Sequence, residues 1–108
     1  MTNITVIKNK ALYVGLNITG HAGYDDYGKD IVCAAASVLS INLANSIAQL
    51  TKAKFKCEID EKSGDYSFAF TETYGDDANI LFESCLLGLE SIQKEYGDDF
   101  IQINYQEV

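Results

Sequence analysis

The chain contains no proline, no tryptophan, one histidine and three cysteines in 108 residues. Without proline, chain reversals fall to glycine, asparagine and aspartate. Without tryptophan, the aromatic mass comes from seven tyrosines and five phenylalanines, spread over strand-like segments. Three cysteines is an odd number. The N-terminus, Met1-Thr2-Asn3-Ile4, has neither the basic region nor the apolar region of a secretory signal. Together these argue against a disulfide framework. One histidine and no CxxC pair argue against structural zinc, and no metal or cofactor is expected. No apolar run approaches the roughly 18–20 residues that span a bilayer. The expectation is a soluble cytoplasmic protein.

Basic residues are also scarce. Eight lysines and arginines face sixteen acids, for a net charge of −8. That sign repels a phosphate backbone, so direct nucleic-acid binding is disfavoured. Encounter with a basic protein or peptide is favoured, although the same charge also serves plain solubility. What is abundant is apolar: 47% of the residues are hydrophobic. That suffices for one core in a single domain over 1–108.

Ile4 to Ile7 is a short β-like run, and Asn9-Lys10 a plausible turn. Leu12, Val14, Leu16 and Ile18 then alternate with Tyr13, Gly15, Asn17 and Thr19, which completes a hairpin. Three glycines (Gly20, Gly23, Gly28) make residues 20–29 read as a loop, costly to order and closing when peptide binds. Asp30 is a good N-cap, with Ile31, Val32 and Cys33 as first helical positions and the helix running to about Thr51. Its apolar positions exceed one stripe, so it needs cover on more than one side, which a second subunit would supply. Phe55-Cys57-Ile59 and Tyr66-Phe68-Phe70 make a second hairpin around the turn Glu61–Asp65. A second helix starts at Asp76-Asp77 and closes at Gly97. Its stripe is Leu81, Cys85, Gly88, Leu89, Ile92 and Tyr96. Ile101, Ile103 and Tyr105 form a last strand. The fold class is α+β: a mainly antiparallel sheet with two helices, in the order β-β-α-β-β-α-β.

The chemistry concentrates in one segment. His21 follows a strand, and Cys33 falls three residues after the predicted cap. A thiol attacks as thiolate, which an imidazole and a helix N-terminus both favour. Taken singly, a cysteine near a helix start is usually a small core residue, and a histidine after a strand usually a surface one. The glycine-rich loop between them weakens both bland readings. Asp30 can orient His21 or only cap the helix. Ser37, one turn after Cys33, can support the thiol or bond back to a helix carbonyl. Tyr24 and Tyr27 can hold substrate or pack the loop. Cys57 and Cys85 sit on apolar faces and read as core.

Gly20-His21-Ala22 and Gly28-x-Asp30-Ile31-Val32-Cys33-Ala34-Ala35-x-Ser37 resemble the signature of the bacterial ribosomal-processing cysteine protease family, Prp. Size and element order resemble that family over the whole chain. Ala36 stands where a larger aliphatic residue is expected, which bears on packing. The resemblance implies an α+β homodimer that removes the N-terminal extension of large-subunit ribosomal protein twenty-seven, with His21 and Cys33 catalytic. Three rivals stand beside it. One is a non-catalytic ribosome-associated binding module. Another is a thiol redox sensor, against which the lack of a neighbouring resolving cysteine weighs. The third is a thiol-dependent acyl or amide hydrolase acting on a small molecule.

Overall fold

The computed structural model describes residues 1–20 and 31–108 in full and the backbone of 27–30. Seven elements follow in order: β1 (Thr2–Asn9), β2 (Leu12–Thr19), α1 (Tyr27–Leu50), β3 (Phe55–Ile59), β4 (Tyr66–Phe70), α2 (Asp76–Tyr96) and β5 (Ile101–Glu107). The strands form one five-stranded sheet in the order β3-β4-β2-β1-β5. Every neighbouring pair is antiparallel except β1 with β5, which is parallel. The β-β-α-β-β-α-β order read from the sequence holds, and the sheet is mixed, mostly antiparallel.

Residues opposite one another in a sheet share a face, so the register lays out both surfaces. One face carries the rows Ile103–Ile4–Ile18–Tyr66–Ile59 and Tyr105–Val6–Leu16–Phe68–Cys57. The middle of these rows is buried under the helices, together with Val32, Ala36, Leu43 and Ile47 of α1 and Phe82, Cys85, Leu86 and Leu89 of α2. The opposite face carries Asn104–Thr5–Asn17–Ser67–Glu58 and Gln106–Ile7–Gly15–Ala69–Lys56, which apart from Ile7 are small or polar, and the buried helix residues pack with the other face.

The alternation predicted for β2 breaks at Val14. Ile7 pairs with Gly15 and Lys8 with Tyr13, so Val14 is an extra residue, a β-bulge. One extra residue flips every side chain beyond it. Tyr13 therefore joins the core face and stacks on Phe82 at 4.7 Å, while Leu12 is 59% exposed. The tight reversal is Lys10-Ala11, one residue later than expected. Lys10 takes the left-handed conformation there, and its N–H donates to the Glu107 carboxylate.

α2 shares Cys85, Leu89 and Ile92 with its predicted stripe, but the buried face is turned toward Ala78, Phe82 and Leu86, leaving Leu81 and Gly88 at its border. Ala78, Phe82, Cys85, Leu86, Leu89 and Ile92 are buried, two acids fill its first turn, and Gly97 caps it at φ 95°. Tyr96, expected in the stripe, is 38% exposed. α1 buries Val32, Ala36, Ser40, Leu43 and Ile47. Its segment Ile31–Leu50 has a mean hydropathy of 1.8 and is long and apolar enough to cross a membrane by length and composition. This corrects the expectation that no segment approaches that length. The serines and asparagines that interrupt the run (Ser37, Ser40, Asn42, Asn45, Ser46) do not outweigh its alanines and branched residues on average. In the fold one stripe of this segment packs on the sheet and on α2 as a core helix.

Two glycines mark where elements approach most closely. A Cβ at Gly15 would lie 2.5 Å from the Phe68 carbonyl oxygen, and one at Gly88 2.8 Å from a Leu39 methyl. Gly15→Ala is expected to destabilise the protein by about 1–3 kcal/mol, since a strand must shift. Gly88→Ala should cost less, because the Leu39 tip can turn aside. Denaturant titration of both variants checks the order.

Candidate active site

β2 delivers the chain to the site at Thr19. Gly20 follows with φ +87°, and a Cβ there would meet the Met1 carbonyl oxygen at 2.1 Å. Only glycine fits both constraints. His21, Ala22, Gly23, Tyr24, Asp25 and Asp26 lie outside the described residues, and with them the expected contact between His21 and Cys33.

α1 begins at Tyr27, three residues before the predicted cap. Tyr27 and Gly28, expected in the loop, are helical, and Asp30 lies inside the first turn instead of capping it. Helix propagation gains a hydrogen bond per residue, and Tyr-Gly-Lys contains nothing that blocks it, so the helix grows back past Asp30. Cys33 therefore stands seventh in the helix, in its second turn. The field of a helix terminus fades within the first turn. The predicted activation of Cys33 by first-turn amides is thereby lost.

Cys33 is half-buried. It sits one position from Val32, which is fully buried, and one from exposed Ala34. The thiol position thus borders the buried stripe without joining it. Ser37 follows at i+4, on the same helix face. Its carbonyl accepts a hydrogen bond from the Ser40 hydroxyl at 3.1 Å. Ser40 in turn ties the helix to the sheet: its own carbonyl accepts from the Tyr66 hydroxyl at 2.8 Å. Nothing local to either residue marks this buried pin beforehand.

The other two cysteines occupy different environments. Cys85 is buried, its thiol donates to the Leu39 carbonyl at 3.6 Å, and burial pushes its pKa up to about 12. Burial also raises the pKa of Cys57, against a smaller opposing hydrogen bond from Tyr66. The Tyr66 hydroxyl is itself pushed upward, first by burial and then by the neighbouring thiols. Both cysteines thus stay protonated near neutrality, in keeping with their reading as core. No group of metal-ligating side chains occurs among the described residues.

An open cleft of about 660 Å³ adjoins the end of β2, lined by Asn17, Thr19, Glu58, Asp60 and Asp65 among others. Sequence reading missed it, because three strands build it. The Asp60 carboxylate accepts the Lys62 and Ser63 amides at 2.8 and 2.9 Å, and these bonds lower its pKa.

Residues 1–102 match the family described as cysteine protease Prp. The chain belongs to that family. The ribosomal processing cysteine protease Prp of Staphylococcus aureus is 33% identical over 87 residues, 81% of each chain. The crystal structure of a ribosomal processing protease Prp from S. aureus in complex with a substrate peptide superposes with a TM-score of 0.90. It is 28% identical and covers 98% of this chain and 100% of its own. A second S. aureus Prp structure, with a covalently linked product peptide, gives 0.87 at 29% identity with the same coverage. This Prp-family chain is a cysteine protease.

The buried thiol has a consequence for stability. In the unfolded chain Cys85 titrates near its ordinary 9.0, and in the native state near 12. Between those values the native state holds a proton that the unfolded state has lost. Stability is therefore full below about pH 9 and falls as pH rises toward 12. Denaturant titration from pH 7 to 11 should show this decline, with a shallower slope for Cys85→Ala. At neutral pH, iodoacetamide should spare Cys85 in the folded protein.

Proposed function

We propose that residues 1–108 act as one protease domain that removes the N-terminal extension of large-subunit ribosomal protein twenty-seven during ribosome assembly in the cytoplasm. His21 and Cys33 are its catalytic pair. The observation that carries this reading is the match over nearly the whole chain to a peptide-bound ribosomal-processing protease at a TM-score of 0.90. The motif Gly20-His21-Ala22 through Ser37 supplies the reacting groups.

His21 accepts the Cys33 proton, and the thiolate attacks the scissile carbonyl carbon. The tetrahedral intermediate collapses, the C–N bond breaks, and the imidazolium protonates the leaving amine. A thioester remains on Cys33. Water, deprotonated by His21, attacks that thioester and releases the new carboxyl end and the thiol. Because Cys33 lies beyond the first turn of α1, the helix terminus contributes little to the thiolate. Activation rests on His21. Asp30 and Ser37 stand as supporting residues. Gly20, Gly23, Tyr24, Tyr27 and Gly28 stand as the substrate-binding segment. The net charge of −8 attracts the basic body of a ribosomal protein.

Cys33→Ala should reduce cleavage of the extended ribosomal protein by a factor on the order of 10⁴ or more, with the fold intact. His21→Ala should lose most activity and move Cys33 alkylation to higher pH. Mass spectrometry of the ribosomal protein and a pH series with iodoacetamide are the measurements. Turnover by Cys33→Ala equal to wild type would refute the assignment.

The chain also forms a homodimer in this reading. The face of α1 opposite its buried stripe carries Ala34, Val38, Ile41 and Ala48, with Val38 67% and Ile41 43% exposed. Sedimentation should give a dimer at micromolar concentration and a monomer for the double variant Val38→Glu, Ile41→Glu.

A further inference from the structure

The two edges of the sheet are built differently. β3 is five residues long and carries Lys54 just before it, then Lys56 and Glu58, which pair at 3.6 Å. Charged side chains on a short strand are the usual guard against further pairing. β5, at the other edge, runs seven residues as Ile101-Gln102-Ile103-Asn104-Tyr105-Gln106-Glu107. It has no charge before Glu107, no glycine, and no bulge against β1. Nothing among the described residues pairs with its outer side.

The free backbone groups can be assigned. Thr2 N–H donates to the Phe100 carbonyl and Val108 N–H to the Lys8 carbonyl, so even-numbered residues of this strand turn toward β1. Ile103, Tyr105 and Glu107 therefore point their N–H and C=O groups outward. Ile101 pairs with Thr2, and Asn3 with Thr19, so β5 enters the sheet at the end where Gly20 leaves it. It stands two strands from β2, roughly 10 Å across the sheet.

Charge selects the occupant. Asp98 and Asp99 precede the strand and Glu107 ends it, and residues 95–108 contain no basic side chain. Lys8, which stands across from Glu107, is engaged over the Tyr13 ring at 5.2 Å. Two copies of β5 paired antiparallel would bring Glu107 of each beside the Asp98-Asp99 turn of the other, acid against acid. A cationic strand meets no such repulsion. Ribosomal proteins are cationic because they bind a polyanion.

We propose that an extended, lysine- or arginine-flanked segment of the ribosomal substrate adds to the outer edge of β5 as a sixth strand and so presents the scissile bond to the site. The proposal rests on the processing reading above. Strand addition supplies affinity through main-chain hydrogen bonds and leaves the chemical step alone.

The test uses the full chain and the extended ribosomal protein. Tyr105→Pro removes one outward N–H and spares the bonds to β1. Its KM should rise by roughly three- to tenfold, the worth of about one backbone hydrogen bond, with kcat unchanged. Independently, the Ile103 and Tyr105 amides of Cys33→Ala protein should gain protection from hydrogen exchange when the substrate is added. This second arm decides the matter if Tyr105→Pro does not fold. Cleavage by wild type with these amides unprotected overturns strand addition alone, as does an unchanged KM in a folded variant. No cleavage by wild type overturns the processing reading and this proposal with it.

Discussion

One stripe of α1 has to fit the core face of the sheet, and the rest of the molecule is arranged around that seam. Val32, Ala36, Ser40, Leu43 and Ile47 recur at helical spacing and are all buried. Four of the five are apolar and supply area. Ser40 is different: it brings a carbonyl that takes the Tyr66 hydroxyl at 2.8 Å. Apolar contact tolerates small slides along a helix, whereas a buried hydrogen bond does not, because breaking it strands two polar groups. Tyr66 thus fixes the height of α1 over β4. The position of Cys33, two turns earlier on the same rigid helix, is fixed with it.

Much of this was legible beforehand, for local reasons. The alternation of Tyr66 and Phe68 in β4 and the helical spacing of Cys85, Leu89 and Ile92 in α2 report burial directly. Gly97 marks a helix end through its backbone freedom. What escaped reading was set elsewhere in the chain. The bulge at Val14 depends on how Lys8 and Ile7 meet β2, and it turned Tyr13 inward and Leu12 outward. The parallel pairing of β5 with β1 joins the two ends of the sequence. The start of α1 at Tyr27 overrode a good local cap at Asp30, since a helix anchored by tertiary packing extends at little cost. The site divides the same way. The motif around His21 and Cys33 could be read as a string of residues, but the Ser40–Tyr66 pin and the three-strand cleft are products of the sheet.

Burial also sorts the three thiols. Cys85 lies deep between α1 and α2 and holds its proton to about pH 12. Cys57 sits at the border of the core beside Tyr66 and is shifted the same way. Cys33 lies on the flank of the buried stripe of α1 and is only half-buried. The protein therefore protects two cysteines by desolvation, which disfavours the charged nucleophile.

The shift of the helix start bears on how Cys33, the proposed nucleophile, would be activated. With a start at Asp30, helix amides and an imidazole would share the work of favouring a thiolate. With a start at Tyr27, Cys33 lies past the first turn, and amides there are spent on the helix's own hydrogen bonds. In the proposed mechanism the burden passes to His21, the chain's sole imidazole. On that proposal the chain holds no second imidazole to replace it, so loss of that one side chain removes the general base and the general acid together.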